Sequence, residues 1–357
     1  MLYIRADGNA NIGMGHVMRC LSVAEAASEK GQELIFLTAD EGCRDMIEER
    51  GFCVAVLGTD YKDMMSELPL LENQLNKAKD ILLVDSYQVS VEYYRALRNL
   101  VRVACFEDMG TAYPVNLLIN YNLYGPQLAG CYQAQKQEDK GIDRYPDNVL
   151  LGVEYMPLRK AFQVPSPYQV KDKVTDVIIT TGGSDPYFAA AALTDAFLED
   201  DFLAEQKLQC HLISGPFNSF ADALKSKYGT YENVTIHENV KDMRGLLLRS
   251  DVVVSATGST IYEVSSLGVP MIAFYFAENQ RQGAEALEQL TDIVNAGCFA
   301  ENADAVTGRA VKALQKCIRQ KAYRELLHEQ EKRLVDGKGA LRIAEQLIRL
   351  AGGNRCL

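Results

Sequence analysis

Short runs of consecutive apolar residues recur through the first part of the chain, at 2–5, 33–38, 53–57, 81–84 and 101–106. Each is strand-length, bordered by Gly, Asp or other polar residues, and apolar at successive rather than alternate positions. That pattern suits strands buried on both faces, as in a parallel sheet covered by helices. The intervening stretches 15–30, 43–50, 61–79 and 91–99 read as those helices. The rhythm restarts with strand-like runs at 176–180, 209–214, 234–237, 252–255 and 271–274. Two βαβ series predict two doubly wound, Rossmann-like α/β domains facing across a cleft, with a boundary near 160. Between the series, 122–173 is rich in Gly, Pro, Tyr and Gln and predicts irregular structure, with the linker near 155–162. After 307 the chain reads as consecutive helices. The last, near 339–350, is counted with the second domain and is placed to pack back on the first. No repeat of solenoid period is present.

Composition narrows what such a protein binds. The 357 residues are enough for two domains, and 48% of them are apolar and 24% charged, as in a soluble globular protein. The formal net charge of −11 disfavours a broad nucleic-acid surface or an anionic membrane, so any phosphate must be held locally. Nine scattered cysteines, most within apolar runs such as Ala104-Cys105-Phe106, read as reduced buried thiols. With no signal-peptide pattern and no apolar run of membrane-spanning length, the cytoplasm is the expected compartment.

In open parallel sheets ligands bind beyond the carboxyl ends of the strands, so chemistry is sought in the loops that follow them. After the first strand, Asp7 leads to Gly13-Met14-Gly15-His16 and Arg19. The glycines let backbone amides approach an anion at a helix N-terminus. A histidine in the first turn of a helix is misplaced as a cation, so His16 is expected to be neutral and available as a base. The plainer alternative is a half-buried histidine that closes the turn. After the fourth strand, Asp85-Ser86-Tyr87 offers either cleft-lining groups or a cap for the next helix. In the second half, Gly182-Gly183-Ser184-Asp185 opens a helix, with Ser184 and Asp185 available to a ligand or to the helix end. It lacks the Lys-Ser/Thr ending of a Walker A loop and the full GxGxxG fingerprint. Thr257-Gly258-Ser259-Thr260 then forms a turn of amides and hydroxyls suited to a diphosphate. Glu263, one turn further, suits a ribose diol, or forms a capping box with Thr260. Glu278-Asn279-Gln280 follows another strand.

These loops resemble the GT-B architecture of the glycosyltransferase that makes lipid II. Together with Asp336-Gly337-Lys338-Gly339, in order and over nearly the whole chain, they are more similar still to the UDP-sugar hydrolases of pseudaminic acid biosynthesis and the related spore-coat polysaccharide proteins. The resemblance implies hydrolysis of UDP-2,4-diacetamido-2,4,6-trideoxy-β-L-altropyranose to UDP and free sugar. It makes His16 the general base, with Tyr87 and Asn279 beside the water and sugar. It further implies that Glu263 holds the ribose and the turn Gly258-Ser259-Thr260 the diphosphate. Asp7, Gly13, Gly15, Arg19, Gly183, Ser184, Asp185 and Gln280 complete the candidate substrate contacts. No cofactor and no metal are expected, and a UDP-sugar is the one partner implied. Two other classes share these features: a glycosyltransferase that uses an acceptor hydroxyl instead of water, and a nucleotide-sugar binding protein without catalysis.

Overall fold

The structure, a computed structural model, describes residues 1–9, 12–77, 79–138 and 146–352, with the side chains of 136–138 and Asn279 outside that description. The chain divides into two compact units: Met1–Lys160 together with the chain from Gly337 onward, and Ala161–Asp336.

The first unit is built on seven parallel strands, β1 (Leu2–Ala6), β2 (Leu34–Thr38), β3 (Cys53–Val56), β4 (Ile81–Asp85), β5 (Arg102–Phe106), β6 (Leu117–Asn120) and β7 (Asn148–Leu151). Their order is β3-β2-β1-β4-β5-β6-β7. Both faces are covered, so the central runs such as Ile81-Leu82-Leu83-Val84 are wholly buried. One charged residue lies within β1. Arg5 is fully buried and places Nε 2.8 Å from Glu67 and Nη1 2.6 Å from Asp7. Tyr93 donates its hydroxyl to the same glutamate, so the buried guanidinium is matched by carboxylates on both sides.

The second unit has six parallel strands, β8 (Asp176–Thr180), β9 (Gln209–Ser214), β10 (Val234–Glu238), β11 (Val252–Ala256), β12 (Met271–Tyr275) and β13 (Val294–Cys298). Their order is β10-β9-β8-β11-β12-β13. Each sheet therefore reverses direction once, between β1 and β4 and between β8 and β11, and each reversal opens a crevice at the carboxyl edge.

The structure differs from the sequence expectation in four places. β6, β7 and β13 add strands, and the helix Ala129–Glu138 stands within the segment expected to be irregular. The expected helix over 61–79 is reduced to a 3₁₀ turn and the helix Leu68–Gln74, which carries Pro69 in its first turn, where the missing prolyl N–H is tolerated. The C-terminal helix Gly339–Gly352 folds with the first unit, burying Ala340, Ile343, Ala344 and Leu347 and packing on the helix Gly15–Glu29. Gly339 is required there, since a Cβ would lie 2.2 Å from the carbonyl oxygen of Met156. Among the described residues, no helix is long and apolar enough to cross a membrane.

Candidate active site

In the first unit the switch point between β1 and β4 brings His16 and Asp85 together. Gly13 turns the loop after β1 with φ +73°, a conformation open to glycine, and its amide donates to the Asn9 carbonyl at 2.8 Å. The helix Gly15–Glu29 then begins without a side-chain cap and without an acidic residue in its first turn. His16 is 8% exposed and does not close that turn. Its Nδ1 instead lies 2.7 Å from Oδ1 of Asp85, at the end of β4.

Asp85 is buried, and burial alone would raise its pKa. The Arg19 guanidinium and His16 overcome that effect and hold its carboxyl well below the usual range. An ionised carboxylate can only accept, so Nδ1 of His16 carries the proton, and in a neutral imidazole Nε2 is then the nitrogen with the free lone pair. Arg19 Nη2 also approaches Nδ1, at 3.3 Å, but both groups are donors in this tautomer and the shorter contact to Asp85 decides it. The cap role considered for Asp85-Ser86 is overturned: the helix Val91–Leu100 is capped by Ser90, whose Oγ accepts from Tyr93.

Arg19 is mostly buried, with its guanidinium engaged by side chains of its own unit. It gives Nε and Nη2 to Asp85, each at 2.5 Å, and Nη1 to Asp108 at 3.0 Å and to the Tyr121 hydroxyl at 2.7 Å. Its guanidinium also lies over the rings of Phe106 and Tyr121. Asp7, expected to touch substrate, has both oxygens engaged within the fold, by Arg5 and by the Ala39 amide at 2.7 Å. It ties the loops after β1 and β2 together at the edge of a pocket that it also lines. Tyr87 is 61% exposed, packs edge-on against His16 with ring centroids 4.7 Å apart, and donates its hydroxyl to Asp108 at 2.8 Å. A pocket lined by Asp7, Ile12, His16, Tyr61, Asp85, Ser86, Tyr87 and Gln88 opens beside this group.

In the second unit, β11 pairs with β8 so that Val254 lies beside Ile179 and Ser255 beside Thr180. The two polar loops therefore leave the sheet side by side. In the first, Gly182 has φ +82°, and Gly183 and Ser184 are exposed. Asp185 is turned inward, accepting from the amides of Ala189 at 2.8 Å and Ala190 at 3.0 Å, so it serves the helix Ala189–Glu199. In the second, Gly258 and Ser259 are exposed at the start of the helix Thr260–Leu267. The N-cap falls on Ser259, and its side chain accepts no bond from the helix amides. Thr260 is thus already helical, and the Thr260–Glu263 capping box is not formed. Glu263 is 8% exposed. Gln280 turns its Oε1 to the Phe276 amide at 2.9 Å, bracing the loop after β12. Asn279 lies in the helix Glu278–Leu290, its side chain outside the described residues.

Sequence reasoning missed three supporting groups. Asp108 and Tyr121 come from loops after β5 and β6, and only the parallel order brings them to Arg19. Gly215, after β9, packs behind the Gly182-Gly183 turn, where a Cβ would lie 2.2 Å from the Gly182 oxygen. A glycine in a Ser214-Gly215-Pro216 turn was the available signal.

Two Rossmann-like domains with their polar loops at the switch points define the GT-B fold, and the solved structures agree. MurG from Acinetobacter baumannii superposes with a TM-score of 0.64 over 98% of this chain and 99% of that one, at 14% identity. Residues 177–347 match the glycosyltransferase family 28 C-terminal domain. The spore coat polysaccharide biosynthesis protein SpsG of Bacillus subtilis is 22% identical over 95% of both chains. The UDP-2,4-diacetamido-2,4,6-trideoxy-β-L-altropyranose hydrolase of Campylobacter jejuni is 22% identical over 78% of this chain and 93% of its own. An uncharacterised protein of Methanocaldococcus jannaschii is 28% identical over 78% of this chain, which spans only 56% of that protein's length. The chain is thus similar to spore-coat polysaccharide biosynthesis proteins and a UDP-sugar hydrolase, and its second half to the family 28 glycosyltransferase domain.

Proposed function

We propose that this protein is a cytoplasmic UDP-sugar hydrolase that converts a UDP-linked diacetamido-trideoxyhexose to UDP and the free sugar in nonulosonate biosynthesis. The observation that carries the reading is the His16–Asp85 pair at 2.7 Å. It fixes the tautomer in which Nε2 of His16 takes a proton from water. The water oxygen forms the new bond to the anomeric carbon from the face opposite UDP. The bond between that carbon and the diphosphate oxygen breaks, and UDP leaves with the electron pair. Amides and hydroxyls of Gly258, Ser259 and Thr260, with Gly183 and Ser184, meet the departing charge at a helix N-terminus. Glu263 accepts from the ribose hydroxyls.

The likeness to the Campylobacter hydrolase supports water as the acceptor. The family 28 match favours the second reading, transfer to an alcohol with His16 as its base. A protein that only binds has no use for a histidine held by a buried carboxylate. Incubation with the UDP-sugar and no acceptor tests the choice. Continuous UDP release is the expected result; release only after an alcohol is added makes the protein a transferase.

A further inference from the structure

The hydrolase reading assigns tasks to His16 and Tyr87, and the inference here rests on it. Between those two residues runs a continuous polar chain. Asp85 holds Nδ1 of His16 at 2.7 Å, and Arg19 holds both oxygens of Asp85 at 2.5 Å. The same guanidinium reaches Oδ2 of Asp108 at 3.0 Å, and that oxygen accepts from the Tyr87 hydroxyl at 2.8 Å. Asn122 Nδ2 donates to the other oxygen of Asp108 at 3.1 Å.

Tyr87 needs such a tether. It is the most exposed member of the group, and at 61% exposure little packing besides the His16 ring restricts its rotamer. Its ring nonetheless stands at 77° to the imidazole with centroids 4.7 Å apart. Apart from that ring contact, the hydroxyl bond to Asp108 is what sets its direction. Asp108 is in turn fixed by Arg19 and Asn122, each from a different loop or helix.

We propose that Asp108 is a positioning residue for the reaction. Acting through Tyr87 on one side and Arg19 on the other, it holds the tyrosine ring against the imidazole whose Nδ1 meets Asp85. Arg19 is the shared anchor: one guanidinium orients the base through Asp85 and the tyrosine through Asp108, so the two groups are set as one unit. A residue acting this way alters the geometry of attack more than the binding of UDP, because the nucleotide loops belong to the other unit.

The test compares Asp108→Asn, Tyr87→Phe and the double variant by kcat and KM for UDP release, with UDP binding measured alongside. Asp108→Asn is expected to lower kcat on the order of 10- to 100-fold, the scale of a small misplacement of reacting groups, with KM and UDP affinity within about 2-fold. Tyr87→Phe removes the same hydrogen bond without disturbing the buried Arg19, and its kcat should fall while its Tm holds. The double variant should be no slower than the slower single variant, because Asp108→Asn weakens and Tyr87→Phe removes one and the same link. Losses that multiply in the double variant, or an Asp108→Asn kcat within 2-fold of wild type, overturn the proposal. So does a fall in UDP affinity matching the fall in kcat, which marks a general loss of structure. If the wild-type protein releases UDP only with an alcohol present, the hydrolase reading fails, and the same comparison run with acceptor still decides the role of Asp108.

Discussion

At the scale of single residues the account turns on His16 and Asp85. If His16 Nε2 takes the proton from water, His16→Asn should lower turnover by about 10²–10⁴-fold, the range for loss of general-base assistance. UDP affinity should change little. Full turnover in that variant, measured by UDP release, removes His16 from the mechanism. Asp85 gives a pH prediction. Its folded carboxyl lies below its ordinary value, so its contribution to stability is complete above the unfolded pKa of about 3.9 and fades as pH falls through that value toward the folded one. Asp85→Asn should therefore flatten Tm against pH below about pH 4. It should also lower Tm at neutral pH, because Arg19 loses one of its two carboxylates. Equal steepness in both proteins contradicts this. His16 was legible from sequence because a histidine in a helix's first turn is anomalous on electrostatic grounds. Its partner was not, since Asp85 is 69 positions away and meets it only because β4 lies beside β1.

At the scale of elements, the loops after strands were legible wherever glycines and hydroxyl residues cluster. Which side chain of a cluster faces a ligand was not. Asp7, Arg19, Asp185 and Gln280 were expected at the substrate, and each also has partners within the fold: the short carboxylates Asp7 and Asp185 take nearby backbone amides, Gln280 the Phe276 amide, and Arg19 the carboxylate of Asp85. The missed strands are four or five residues long, and β6 and β7 are set among Pro, Asn and Tyr, where local composition outweighs a brief apolar run. The Gly182-Gly183 turn makes an element-scale prediction, since Gly215 lies directly behind it. Gly215→Ala should push that turn outward and weaken UDP binding by roughly tenfold, about 1.4 kcal/mol, read by titration calorimetry. Unchanged affinity would show that the turn does not contact the nucleotide.

At the scale of the whole molecule, two βαβ series were legible because parallel strands buried on both faces leave uninterrupted apolar runs. The return of the chain to its first unit shows what the Asp336-Gly337-Lys338-Gly339 segment does. Gly337 takes φ +75°, and Gly339 lets the last helix settle against the Met156 backbone. That helix packs on the one carrying His16, so the end of the chain supports its reactive beginning. The central claim is that water, activated by His16, attacks the anomeric carbon. It is tested most directly by turnover in ¹⁸O-labelled water without acceptor, with the products analysed before mutarotation and exchange. The account predicts the label in the anomeric hydroxyl of the sugar, the first-formed anomer inverted, and unlabelled UDP. Label in the UDP phosphate would mean attack at phosphorus and would contradict it.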